Sequence, residues 1–168
     1  MADHIRNVLF LCTGNSARSI LAESLLDHWG KGLFKGYSAG SFPKGAVHPL
    51  AIQLLGQTGL PIQNLRSKSW DEFAQPGAPQ MDFIFTVCDQ AAGEMCPVWP
   101  GHPITAHWGL PDPAAATGTP AERMQAFRAA FQVLETRIRH FLTFPFEGRS
   151  RDALQALAAE AGKRDGVP

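Results

Sequence analysis

Cys12-Thr13-Gly14-Asn15-Ser16-Ala17-Arg18-Ser19 sets a cysteine and an arginine with five residues between them. Between a strand and a helix, a loop of this length can wrap backbone N–H groups around one tetrahedral oxyanion. The helix N-terminus adds positive potential. The same field lowers the pKa of Cys12 and makes it a thiolate nucleophile. Gly14 permits a tight backbone path. Arg18 can hold two oxyanion oxygens with its planar fork, and Ser19 can donate a hydrogen bond to the sulfur. The bland reading is a buried strand-end cysteine and a surface arginine, because Cys-x5-Arg alone is a common accident. The strand before it, the helix after it and Gly14-Asn15 inside favour the anion loop. No G-x-x-x-x-G-K-[ST] and no G-x-G-x-x-G competes with it.

The flanking elements are legible as hydrophobic patterns. Val8-Leu9-Phe10-Leu11, within Ile5–Leu11, reads as a buried strand. From Ser19 the pattern turns helical, with Ala22, Leu25, Leu26 and Trp29 on one face. Lys35–Ala39 is a short strand closed by Gly40, and Pro49 opens a helix to about Thr58. Phe83–Val87 is a second buried strand ending at Cys88, and Ile104–His107 a weaker one. Thr119-Pro120-Ala121-Glu122 is a capping box. It leads a stripe of Met124, Phe127, Phe131, Leu134, Ile138 and Phe141, the spacing of a core-facing helix. Ser150–Ala161 is a last, Ala-rich helix. Strands alternating with helices predict a doubly wound α/β sheet of about four parallel strands, with helices on both faces. In such a sheet ligands bind outside the carboxyl ends of the strands. Cys12, Cys88 and the Asp112 loop each follow a strand and should gather at one edge.

Composition sets the outer bounds. A chain of 168 residues is about one domain at ~150 residues each. We expect that domain over residues 1–145, with a helical extension over 146–168. Lys and Arg number 15, as do Asp and Glu, so the basic surplus that general nucleic-acid binding requires is missing. No apolar run reaches the ~18 residues of a membrane span. Val8–Cys12 is too short for the apolar core of a signal peptide. We therefore expect a cytoplasmic protein with neither nucleic-acid nor membrane partners. In that compartment its three cysteines point to catalysis or redox chemistry more than to a disulfide framework.

Two thiols and one acid accompany the loop. Cys88 and Cys96 lie eight positions apart. That is ~12 Å of rise in a helix and ~27 Å extended, whereas a disulfide needs Cα atoms within ~7 Å. If the two cysteines bridge, the segment must loop, so Asp89–Met95 is expected to rearrange between reduced and oxidised states. Two ordinary buried cysteines are the plain alternative. Zinc held by Cys88, Cys96, His102 and His107 is a weaker one, because paired zinc cysteines favour shorter spacing. Asp112, in Pro111-Asp112-Pro113, is either a turn aspartate or a rigid acid at the end of a strand. Of the four tryptophans, Trp108 is the one placed to wall the site.

Val8–Ser19 resembles the opening of the low-molecular-weight protein tyrosine phosphatase fold, and the resemblance runs over about Ile5–Leu142. Within it the chain is similar to the arsenate reductase branch. The motifs that carry this are Tyr37-Ser38-Ala39-Gly40, Val87-Cys88 with Cys96-Pro97, and His107-Trp108-Gly109 leading to Asp112-Pro113. The resemblance implies Cys12 as nucleophile, Arg18 as oxyanion clamp, Cys88 and Cys96 as relay thiols and Asp112 as general acid. Thr13, Gly14, Asn15, Ser16, Ala17 and Ser19 would bind the substrate. It implies arsenate reduction in arsenic detoxification, phosphate or sulfate as competing oxyanions, no tightly bound cofactor and no metal. The external reductant would be thioredoxin, or glutaredoxin with glutathione. The rival readings are a tyrosine or small-phosphoester phosphatase and an oxyanion-binding redox sensor.

Four departures from that family stand out. Residue 17 is Ala, where many relatives carry another cysteine. Asp112-Pro113 is followed by Ala114-Ala115-Ala116, where tyrosine phosphatases of this fold place aromatics. The Cys88–Cys96 spacing is one residue longer than in some thioredoxin-linked relatives. Asn15, Glu23 and Ser38 match three ligand positions of a potassium site found in some arsenate reductases, but Lys68 stands where an aspartate would complete it. A lysine ammonium can replace the ion, so rates in potassium and sodium buffers of equal ionic strength are expected to coincide.

Overall fold

The computed structural model describes residues 5–88 and 101–164. Cys96 and the expected rearrangement of Asp89–Met95 lie outside them. Four strands, β1 (Arg6–Cys12), β2 (Phe34–Gly40), β3 (Phe83–Thr86) and β4 (Ile104–His107), form one parallel sheet in the order β2-β1-β3-β4. The α-helices are α1 (Arg18–Trp29), α2 (Pro49–Gln57), α3 (Pro120–Phe141) and α4 (Arg151–Ala161). The fold is thus the expected α/β sheet of four parallel strands with helices around it. No helix among the described residues is long and apolar enough to cross a membrane.

Alternation along β1 divides the core. Val8, Phe10 and Cys12 face one layer with α1, α2, α3 and α4. Leu9 and Leu11 face a smaller one with Ile84, Met81 and Phe73, where a 3-10 turn at Trp70–Phe73 covers the sheet. Period-two alternation forces this split, since neighbouring side chains on a strand point to opposite faces. The larger layer is strongly aromatic. Trp108 lies flat on Phe85 with centroids 4.1 Å apart, and Phe141 meets Phe83, Phe85 and Trp108 edge-on. Each such buried side chain contributes about 1.5–3 kcal/mol.

Trp108 is therefore core. It is fully buried, its indole Nε1 donates to the Ala158 carbonyl at 2.9 Å, and it does not wall the site. The last helix docks through this bond, and Phe146, Ala158 and Ala161 join the main core. Trp29 departs from expectation as well. It is 41% exposed, with Nε1 on Glu135 and the Arg139 guanidinium over its ring. Helix α1 instead buries Ile20, Leu21, Leu25 and Leu26. It is packed between the sheet and α3, so it lacks the single apolar face of a surface helix. The capping box at Thr119 forms as expected, with Thr119 Oγ1 accepting from Glu122 N and Glu122 Oε1 accepting from Thr119 N.

Register decides what meets what. Cys12 pairs with Gly40, Leu11 with Thr86, and Thr86 with His107. The chain leaves β1, β3 and β4 on one edge, delivering Cys12, Cys88 and the 108–112 segment to the same place.

Candidate active site

The loop after β1 is held by its carbonyls. Thr13 O accepts from Phe42 N at 2.9 Å, Gly14 O from Lys44 N at 3.0 Å, and Ser16 O from His48 N at 2.9 Å. The carbonyls of the loop are thus engaged by the segment that follows β2. No backbone carbonyl among the described residues accepts from the N–H groups of Gly14–Ala17. Asn15 makes the bend. It sits at φ 44°, a left-handed conformation that asparagine tolerates better than most residues. Its buried side chain fixes it there: Nδ2 donates to Ser19 Oγ at 2.8 Å, and Oδ1 accepts from Lys68 N at 2.8 Å. Ser19 Oγ thus accepts from the loop asparagine, which leaves its own O–H to donate. Ala17, at the start of α1, packs in the core.

Gly40 is the close approach that lets β2 and the loop coexist. A Cβ there would collide with the Thr13 carbonyl oxygen and stand 2.8 Å from that of Cys12. Gly40→Ala is expected to cost about 1–3 kcal/mol, as for overpacking, and to weaken phosphate binding by distorting the loop. Thermal unfolding and protection of Cys12 by phosphate against iodoacetamide measure the two effects.

Arg18 reaches from α1 to the far wall. Its Nη1 donates to Leu110 O at 2.9 Å, and Nη2 lies 3.7 Å from Asp112 Oδ2. Nε is buried and has no partner among the described residues. A buried guanidinium N–H without a partner is a donor in search of an acceptor. An oxyanion in the cradle would supply one. Asp112 lies at the rim and caps the 3-10 turn Pro113–Ala115, with Oδ1 accepting from Ala114 N at 2.9 Å.

Cys12 and Cys88 are buried thiols that line the same cleft, and the Cys88 sulfur lies 3.6 Å from Thr13 Oγ1. The Cys88 hydrogen bond and burial push the Cys12 thiol up, against Arg18 and the Gly14 amide, which pull it down. The sequence expectation of a depressed Cys12 thus needs correction in this arrangement. Two neighbouring thiols resist carrying two negative charges, so the pair titrates together.

Behind the loop, Lys68 is buried. Its Nζ donates to Arg66 O at 2.8 Å and stands 3.9 Å from Glu23 Oε1, which accepts from Ser38 Oγ at 2.5 Å. Burial raises the Glu23 carboxyl and lowers the Lys68 ammonium; the charge of each partner opposes the shift. An ammonium already faces this carboxylate, and the Asn15 amide is engaged on both atoms. This group does not fit an alkali cation. No cluster of three or more His, Cys, Asp or Glu among the described residues could hold a metal ion.

Cys12, Arg18, Cys88 and Asp112 share one cleft of about 650 Å³, with Phe42 and Lys44 at its mouth. Sequence reasoning missed those two. Their only signal was position, just after a strand that ends at the same edge. The cleft can hold a tetrahedral oxyanion beside Arg18, with two sulfurs in its lining.

Residues 7–159 match the model of the low molecular weight phosphotyrosine protein phosphatase family, and the chain belongs to that family. Among its relatives is the arsenate reductase of Shouchella clausii, 36% identical over 134 residues, or 80% of this chain and 93% of the relative. A solved arsenate reductase from Archaeoglobus fulgidus superposes with a TM-score of 0.64 at 27% identity, covering 82% of this chain and 99% of that one. The low molecular weight protein tyrosine phosphatase from T. tengcongensis shares the fold, with a TM-score of 0.67 at 21% identity over 82% of this chain and 98% of that one.

Proposed function

We propose that this chain reduces arsenate to arsenite, with Cys12 as nucleophile, a Cys12/Cys88/Cys96 relay and an external thiol as the source of electrons. The observation that carries this is the pair of buried thiols, Cys12 and Cys88, lining one oxyanion cleft. Ester hydrolysis needs one sulfur there. A two-electron reduction needs two. The arsenate reductases among its relatives supply the oxyanion.

Arsenate sits on the loop amides and the Arg18 fork, where phosphate or sulfate would compete. The Cys12 thiolate attacks arsenic, and an oxygen protonated by Asp112 leaves as water. The Cys88 thiolate then attacks the Cys12 sulfur. The S–S bond forms, the sulfur–arsenic bond breaks, and its electron pair stays with arsenic, which leaves as arsenite. Cys96 attacks Cys88 and frees Cys12. The Cys88–Cys96 disulfide passes to thioredoxin, or to glutaredoxin with glutathione, by thiol–disulfide exchange. A cytoplasmic setting would keep these thiols reduced. The same cradle can carry residual hydrolysis of small phosphoesters, which uses only its first half.

A coupled assay with each donor tests this. Arsenate-dependent loss of NADPH with one of them is expected. Hydrolysis of an aryl phosphate, with no arsenate-dependent NADPH loss under any donor, would leave the protein a phosphatase.

A further inference from the structure

Arg137 is a charged residue inside the apolar stripe of α3. It is buried, and its guanidinium is directed at backbone carbonyls: Nη1 donates to Trp108 O at 2.7 Å and Gly109 O at 3.1 Å, and Nε to Arg164 O at 2.6 Å. The next carbonyl along the chain, Leu110 O, is the one that Arg18 holds. Two guanidiniums thus grip three consecutive carbonyls leading into Pro111-Asp112. From the other side, Leu110 N donates to Val87 O at 3.3 Å, next to Cys88.

Helix α4 completes the grip. Ala158 O accepts from the Trp108 indole. Gly162, just past the helix, is so close that a Cβ would stand 2.5 Å from Trp108 Cδ1 and 3.1 Å from His107 O. Its φ of −68° suits any residue, so what this position demands is space. We infer that Arg137, braced by the C-terminal helix, is a positioning residue for the Asp112 loop: it fixes the backbone from which Asp112 projects. Fixing this segment matters because an acid about 1 Å out of place can lose ~100-fold in rate. The inference rests on the reading of Asp112 as the general acid.

The test is a double-mutant cycle on the full chain, read as single-turnover oxidation of the reduced protein by arsenate. Arg137→Met is expected to slow that step about ten-fold, in line with a misplaced acid. In an Asp112→Asn background it should slow it less than two-fold further, as expected of residues acting through one group. Arg137→Lys, which keeps a cation for the carbonyls, should recover most of the rate. Gly162→Ala, which pushes α4 off Trp108, should show the same non-additivity. Protection of Cys12 by phosphate should change little. Equal losses in both backgrounds, or Arg137→Lys no better than Arg137→Met, would overturn the inference and leave Asp112 as the acid. An Asp112→Asn protein with an unchanged rate would overturn the acid assignment and the inference together. No oxidation by arsenate in the wild type would overturn the functional reading beneath both.

Discussion

A Cys88→Ser protein should bind arsenate and never turn over. Multiple turnover is expected to fall by at least about 10³-fold, as when one member of a unit acting together is removed. The serine oxygen cannot form the bond that lets the electron pair stay with arsenic. Hydrolysis of an aryl phosphate should stay within about three-fold of wild type, because that chemistry ends at Cys12. Cys88→Ala adds a pH signature. The largest influence raising the Cys12 thiol is the Cys88 hydrogen bond. Removing it should move Cys12 ionisation to lower pH. The alkylation profile of Cys12 with iodoacetamide then shifts to lower pH, and the rate at neutral pH rises. Loss of arsenate turnover and ester hydrolysis in equal measure would make Cys88 a structural residue.

Arg18→Lys carries the second large effect. The guanidinium spans from Leu110 O to within 3.7 Å of Asp112, with Nε buried and without a partner among the described residues. A lysine offers a point charge and no planar fork. It cannot hold the Leu110 carbonyl and two anion oxygens at once. Loss of one donor to developing oxyanion charge costs about 10²–10³ in rate. We expect a fall of that size in single-turnover arsenate reduction, together with weaker phosphate protection. A variant within about three-fold of wild type would mean that charge alone suffices, against the fork geometry expected for a bidentate site.

Much of this was readable in the chain. Val8–Leu11 and Phe83–Thr86 announce themselves as short apolar runs, and the capping box at Thr119 marks the start of α3 to the residue. The rule that ligands gather at carboxyl edges then brought Cys12, Cys88 and Asp112 together before any coordinates. Distances were not readable. That Cys12 and Cys88 line one cleft depends on Leu11 standing opposite Thr86, a register set by the whole sheet. Trp108 was misplaced because a tryptophan beside a site and one stacked on Phe85 look alike in sequence. Trp29 fits the helical period yet ends at the surface, because α1 is buried on more than one side. Arg137 could have been found. It lies three residues after Leu134 and next to Ile138, so the pattern that makes those core also buries a charge, and buried charges have partners. Gly40 was read as a strand end and as the last residue of a family motif. Its tight packing on the loop is a three-dimensional fact with no local signal.

The account turns on two sulfurs reached by one anion. Fully reduced protein should be mixed with arsenate alone, the remaining thiols capped, and the intact mass and disulfide-linked peptides determined. The expected result is a loss of two hydrogens with stoichiometric arsenite, and a linked peptide containing Cys12–Cys88, or Cys88–Cys96 once the relay has advanced. Unchanged mass after prolonged exposure to arsenate, from protein that still hydrolyses an aryl phosphate, would contradict it.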